Sequence, residues 1–107
     1  MSREAGIGVL LAELHFPASR SLKDKRAPLA SLRDTLQTRF RVSVSEVGLH
    51  DAWQRARVLV VLAASSLAQG AERLDQVDRY LHAQEFEVSR VLLLSVDPVE
   101  ALWDCDA

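Results

Sequence analysis

A run of apolar residues near the N-terminus constrains the fold more than any other feature. Between positions 7 and 16 both alternating sets of side chains are apolar, with Ile7, Val9 and Leu11 on one side and Leu10, Ala12 and Leu14 on the other. A strand with this pattern is buried on both faces, as the central strand of a sheet is. Pro17 marks its end. The rest of the chain must therefore supply cover for two faces of one sheet.

The segment after Pro17 predicts an amphipathic helix. Apolar residues recur there at spacings of three and four and share one helix face: Leu29, Leu32, Leu36 and Phe40. Ser21 and Asp24 form a capping-box pattern. A cap at Ser21 would place Pro28 a full turn inside the helix, where it removes a backbone hydrogen bond. We therefore expect Asp24 to be the N-cap, with residues 20–23 in the loop before it.

The remaining elements follow from β-branched runs and a second helical pattern. Residues 42–47 and 53–64 predict the two strands of a hairpin, joined by a turn at residues 48–51. Ser65 or Ser66 begins a second helix, whose inner face is formed by Leu67, Leu74, Val77 and Leu81. The last strand covers residues 88–96 and ends at Asp97-Pro98.

This order of elements, βαββαβ, predicts a split βαβ, or ferredoxin-like, α+β fold. In this fold, two helices cover one face of a four-stranded antiparallel sheet. With 107 residues, the chain is expected to be a single domain spanning residues 1–107. Residues 98–107 are expected to form a short acidic C-terminal tail.

The second face of the sheet needs cover, because three of the four strands are apolar at both parities. We expect the open face to carry Val9, Leu11, Leu59, Val61, Leu92 and Leu94, or their neighbours of opposite parity. A second copy of the chain would cover it by two-fold packing, which predicts a homodimer. The alternative is that the C-terminal segment with Leu102 and Trp103 folds back over the sheet.

Charge is distributed unevenly along the chain. Residues 20–41 contain seven basic and two acidic side chains, whereas the rest of the chain contains six basic and 13 acidic ones. The net charge of −2 does not reveal this uneven distribution of charge. Such a distribution can present one basic face to a polyanion while the whole molecule stays soluble.

The basic residues near the start of the first helix are the strongest candidates for a binding site. A phosphate group there would meet both side-chain cations and the positive end of the helix dipole. The candidate nucleic-acid-binding residues are Arg20, Lys23, Lys25, Arg26 and Arg33. The alternative is a solvated helix face with local ion pairing.

A second polar cluster surrounds the predicted hairpin and comprises Glu13, Glu46, Asp51, Trp53, Arg55 and Arg57. Counting back from the turn places Glu46 near Arg55 across the ladder, and a cross-strand ion pair there would fix the register. We interpret the cluster as structural, with Trp53 as a packing anchor. The functional alternative is a polar pocket that contains Glu13 and Glu46 beside Arg57.

The sequence lacks the residues that several classes of protein function require. The sequence has no asparagine, which acylphosphatase-type enzymes of this size and topology require, and its four glycines form no phosphate loop. The three histidines have no metal-ligand spacing, and Cys105, between Asp104 and Asp106, has no partner cysteine. No apolar run is long enough to cross a membrane, and no signal peptide is evident. We expect a cytoplasmic, non-enzymatic protein without a cofactor or metal.

Several short motifs occur together in this chain: Glu13, Pro17, Ser21-Leu22-Lys23-Asp24-Lys25-Arg26, Val42-Ser43-Val44-Ser45-Glu46-Val47-Gly48 and Asp51-Ala52-Trp53-Gln54. In this combination the sequence resembles the YlxP-like family, a bacterial domain of unknown function. The resemblance extends over residues 6–96, and it departs from the family pattern at Pro28 and in the tail after Trp103.

The resemblance implies a ferredoxin-like fold, a cytoplasmic bacterial protein and no established activity. Genes of this family tend to lie beside those for initiation factor two and ribosome-binding factor A, which implies a role in translation or ribosome assembly. We therefore expect a protein that binds structured RNA, such as ribosomal RNA or a ribosomal subunit, through its basic loop and first helix. The alternative is an interaction module that binds itself or a translation factor through its open sheet face.

Overall fold

The computed structural model describes residues 5–99, and it has the βαββαβ order that the sequence predicts. The elements are β1 (Gly6–His15), α1 (Leu22–Thr38), β2 (Ser43–Glu46), β3 (Arg55–Ala64), α2 (Leu67–His82) and β4 (Glu87–Val96). The strands form one antiparallel sheet in the order β2-β3-β1-β4. The ferredoxin-like fold is therefore confirmed. Most of the predicted tail, with Leu102, Trp103 and Cys105, lies outside the described residues.

The core lies between the two helices and one face of the sheet. Along β1 the buried side chains are Leu10, Ala12 and Leu14, and along β3 they are Ala56, Val58, Val60 and Leu62. The helices contribute Leu29, Leu32 and Leu36 from α1 and Leu74, Val77 and Leu81 from α2. Because burial alternates along β1 and β3, the opposite parity belongs to the second face, which we call the open face.

The open face carries the aliphatic residues that the sequence analysis named first. Val9 pairs with Val61 and Leu94, and Leu11 pairs with Leu59 and Leu92. These six side chains therefore share one surface across three strands. On the edge strand β4, Leu92 is 59% exposed and Leu94 is 58% exposed.

The start of α1 differs from the prediction. Ser21, not Asp24, is the N-cap: its Oγ accepts a hydrogen bond from Asp24 N at 3.1 Å. The Asp24 Oδ2 accepts a hydrogen bond from the N–H of Arg20, the residue before the cap, at 2.9 Å. The two bonds satisfy two backbone donors at once, and Pro28 is tolerated inside the helix. The second helix begins after Ser66, one of the two predicted caps.

The hairpin also differs, because its connection is longer than predicted. β2 ends at Glu46 and β3 begins at Arg55, so residues 47–54 form the connecting loop. Gly48 and Leu49 both have positive φ angles, of 69° and 56°. The chain therefore leaves the ladder at this point instead of closing in a tight turn. In the resulting register Glu46 pairs with Val58, so the predicted Glu46–Arg55 cross-strand pair is wrong.

Candidate functional site

Lys25 lies in the first turns of α1 but does not belong to the surface. Its side chain is buried, with 3% of the residue exposed. The Nζ donates hydrogen bonds to the carbonyl oxygens of Leu49 and Arg55, both at 3.1 Å, and lies 3.7 Å from Glu46 Oε2. Lys25 therefore fixes the 47–54 loop, and its assignment as a nucleic-acid-binding residue is wrong.

The sequence does contain a signal for this burial. Lys25 precedes Leu29 by four residues and Leu32 by seven, which places it on the buried face of α1. A lysine on such a face needs acceptors for its ammonium protons, because an unpaired buried charge is strongly unfavourable. Glu46 and the two loop carbonyls supply those acceptors from segments that sequence spacing does not connect to α1.

The other four predicted cations are exposed and form a surface that we call the α1 basic stripe, comprising Arg20, Lys23, Arg26 and Arg33. Arg26 and Arg33 are seven residues apart and share one flank of α1, and Lys23 lies one turn before Arg26. Arg26 and Arg33 also line one shallow cavity of about 330 Å³. The structure therefore leaves these four predicted residues exposed, Arg20 just before α1 and the other three along it.

Three acidic residues lie near the α1 basic stripe. Glu46 lines the same cavity as Arg26 and Arg33, but its carboxylate lies near Lys25 Nζ and 3.6 Å from His50 Nδ1. Asp24, which accepts a hydrogen bond from the backbone N–H of Arg20, and Asp34 are exposed. The four exposed cations of the stripe outnumber these two exposed carboxylates, so the surface potential along α1 is positive.

Trp53 lies in the loop before β3 and is 57% exposed, so the prediction that it is a packing anchor is wrong. The loop is held by other groups. Besides the two bonds from Lys25, Gln54 Nε2 donates to Pro17 O at 3.2 Å and Ser19 O at 3.1 Å. Trp53 lines a shallow depression of about 480 Å³ together with Asp51, Arg55 and His15.

The polar pocket, which was the functional alternative for the hairpin cluster, does not form, because its members lie on opposite faces of the sheet. Glu13 and Arg57 are directly paired on the open face, with Arg57 Nη2 donating to Glu13 Oε2 at 3.2 Å. Glu46 has the parity of Val58 and faces α1. The Glu13–Arg57 pair therefore fixes the register of the two central strands, as the structural interpretation of the cluster expects.

A second basic region, which the sequence analysis did not identify, lies between the end of α1 and the outer side of α2. Arg39 and Arg41, from the basic segment, meet Arg73 and Arg79 of α2 along an open cavity of about 890 Å³. Sequence spacing indicates only the first two, because nothing in the helical pattern of α2 directs Arg73 and Arg79 toward the end of α1.

The described residues bring together no group of three His, Cys, Asp or Glu side chains that could hold a metal ion. Within the same residues, neither helix is long and apolar enough to cross a membrane. The chemically distinctive surfaces of residues 5–99 are therefore the two basic regions, the exposed Trp53 and the aliphatic open face.

We predict that Lys25→Met lowers the free energy of unfolding by about 2 kcal/mol, since it removes two buried hydrogen bonds and leaves Glu46 short of a cation. Trp53→Ala should change the same quantity by less than about 0.5 kcal/mol, because the indole is largely exposed. Urea denaturation followed by circular dichroism measures both. Lys23→Met, on the exposed side of the same helix turn, is the matched control. Equal unfolding midpoints for the two lysine variants would contradict the structural role of Lys25.

Comparison with known proteins identifies the relatives of this chain. The uncharacterized protein YlxP of Bacillus subtilis (strain 168) is 40% identical over 71 residues, which cover 66% of this chain and 77% of that protein. Two solved structures are more remote.

One is an antibiotic biosynthesis monooxygenase described as putative, from Bacillus cereus, with 11% identity, a TM-score of 0.44 and coverage of 87% of this chain and 91% of its own. The other is a REP-associated tyrosine transposase bound to a REP hairpin, with 10% identity, a TM-score of 0.42 and coverage of 95% and 71%. A family model described as a protein of unknown function, DUF503, matches residues 7–93. The chain therefore belongs to this YlxP-like family, DUF503, whose function is unknown.

Proposed function

We propose that this protein binds structured RNA through the α1 basic stripe, as a cytoplasmic, non-enzymatic accessory of ribosome assembly or translation. The observation that supports this proposal is that the cations of the α1 basic stripe form no ion pairs within the described residues. None of Arg20, Lys23, Arg26 and Arg33 forms an ion pair with another residue of the described part of the chain. Four exposed cations without counterions are available to neutralise phosphates and release their condensed ions.

The geometry of the stripe suits a regular phosphate backbone. Lys23 and Arg33 are ten residues apart on a helix and therefore lie about 15 Å apart along its axis. This length can contact several phosphates along one edge of a groove. Arg20 extends the stripe beyond the capped end of α1, where the helix dipole also favours negative charge.

The aliphatic open face favours recognition of RNA shape over recognition of individual bases. RNA-binding sheets of similar topology stack bases on aromatic residues of their two central strands. Here the central strands β1 and β3 present Val9, Leu11, Leu59 and Val61 at those positions. Contacts with the backbone of folded RNA, such as ribosomal RNA, need only well-placed cations.

We predict that affinity for an RNA hairpin falls about a hundredfold between 50 and 200 mM salt, the loss expected when about four cations contact phosphates. Arg26→Gln combined with Arg33→Gln should weaken binding and reduce the salt slope by about 2. Fluorescence anisotropy with a labelled hairpin measures both quantities.

The matched control combines Arg55→Gln with Arg90→Gln, which removes the same charge from other exposed positions. This control should keep most of the affinity and of the slope. If the two double variants lose equal affinity, binding depends on net charge alone and the α1 basic stripe is not the site. A salt-independent affinity would contradict the proposal as a whole.

The exposed leucines of β4 favour a second candidate function, an interaction module that self-associates. Leu92 and Leu94 lie beside Leu11 and Val9 on the open face, so the aliphatic surface extends across three strands to the edge of the sheet. Contiguous apolar surfaces of this kind mark interaction sites. We infer that a second copy of the chain packs against this face, because sheets of the same shape can stack by two-fold symmetry.

We predict that Leu92→Glu combined with Leu94→Glu converts a dimer to a monomer, because it places charges in the apolar contact. Sedimentation equilibrium at micromolar concentration measures the mass. Ala68→Glu with Ala71→Glu adds the same charge at exposed positions of α2 and should leave the mass unchanged. A parent protein with the mass of a single chain would contradict self-association and leave the RNA proposal unaffected.

A further inference from the structure

The arginine groove, which we define by Arg39, Phe40, Arg41, Arg73, Arg79 and Tyr80, is an open concavity of the described residues. It lies between the last turn of α1 and the outer side of α2, at the opposite end of α1 from its N-cap. Its volume of about 890 Å³ is in the range of small-ligand sites. Four guanidinium groups in one groove make it strongly attractive to anions.

Arg73 donates hydrogen bonds to backbone carbonyl groups beside the groove that would otherwise repel an anion. Its Nη1 donates to Ala63 O at 2.9 Å, and its Nη2 donates to the carbonyl oxygens of Phe40 at 3.2 Å and Arg41 at 3.3 Å. The carbonyls of Phe40 and Arg41 lie just beyond the negative end of the α1 dipole. The same bonds fix the turn in which Arg41 adopts a φ of 55°.

Arg39 lies beside two aromatic rings. Its guanidinium carbon lies 5.2 Å from the ring centre of Phe40 and 5.6 Å from that of Tyr80. The two rings are themselves packed at 5.1 Å, tilted by 54°. These distances are those of cation–π contacts, and Arg39 as a whole remains exposed to solvent. A guanidinium is planar, so an exposed one that is positioned by aromatic rings can stack on a further ring and offer hydrogen-bond donors at its edge.

The charge of the groove is only partly compensated. Arg79 pairs with Asp75 one turn earlier on α2. Arg39 and Arg41 form no ion pair with any residue of the 5–99 region. The groove therefore combines uncompensated cations for phosphate with a flat surface for a ring.

We propose that the arginine groove binds an unpaired nucleotide of RNA, with its base stacked on the outer face of Arg39 and its phosphates on Arg41 and Arg79. This inference rests on the proposed function, because the paired region of the same RNA would lie on the α1 basic stripe. α1 has 17 residues and is about 25 Å long, so one ligand can reach both sites. Stacking on a fixed guanidinium is a recognised way to hold an unpaired base.

The test compares two RNA hairpins that differ only in a short single-stranded extension. Fluorescence anisotropy should show the extended hairpin binding the parent protein about tenfold more tightly than the blunt hairpin. Arg39→Lys keeps the charge but removes the flat stacking surface, so it should abolish this difference while leaving the affinity for the blunt hairpin unchanged. Arg90→Lys, on the open face, is the matched control and should preserve the difference.

Each other outcome decides against a defined part of the account. Equal affinities for the two hairpins, or a preference that survives Arg39→Lys, overturn the groove proposal and leave the RNA function standing. An extension made of abasic nucleotides that binds as tightly as the normal one shows a general phosphate site and overturns base stacking. Failure of both hairpins to bind contradicts the proposed function, and the groove proposal falls with it.

Discussion

The buried ammonium of Lys25 is the interaction on which the functional surfaces depend. It joins α1 to the 47–54 loop and to β2 through two carbonyl oxygens and Glu46. A buried cation is tolerated only where such acceptors surround it, so each contact constrains the others. As a consequence, the loop is held by its backbone, Trp53 is left exposed, and Lys25 is separated from the exposed cations of α1.

The molecule separates two kinds of surface. The helix side carries the α1 basic stripe at one end of α1 and the arginine groove at the other. The sheet side carries an aliphatic face, on which Glu13 and Arg57 also form an ion pair. Because the sheet lies between them, the protein could contact RNA on one side while the other side contacts a second copy. The two proposed roles are therefore compatible in one molecule.

The fold could be predicted because periodicity and turn residues carry local information, as in the Leu29–Leu32–Leu36 stripe. Structural details that depend on contacts between residues far apart in the sequence could not be predicted. The length of the hairpin loop depends on Lys25, which lies 24 residues from Leu49 and 30 from Arg55. The arginine groove depends on Arg73, which reaches carbonyls 32 and 33 residues away. The sequence does not determine which parity of β1 forms the open face, because Leu10 and Leu11 are equally apolar.

The most direct test of the central claim is to follow the backbone amide resonances of the protein by NMR while an RNA hairpin is added. If RNA binds through the α1 basic stripe, shift changes concentrate in residues 20–33, and the amides of Leu59, Leu92 and Leu94 are unaffected. Changes confined to these open-face residues would contradict recognition through α1. An unchanged spectrum at saturating RNA would contradict RNA binding itself.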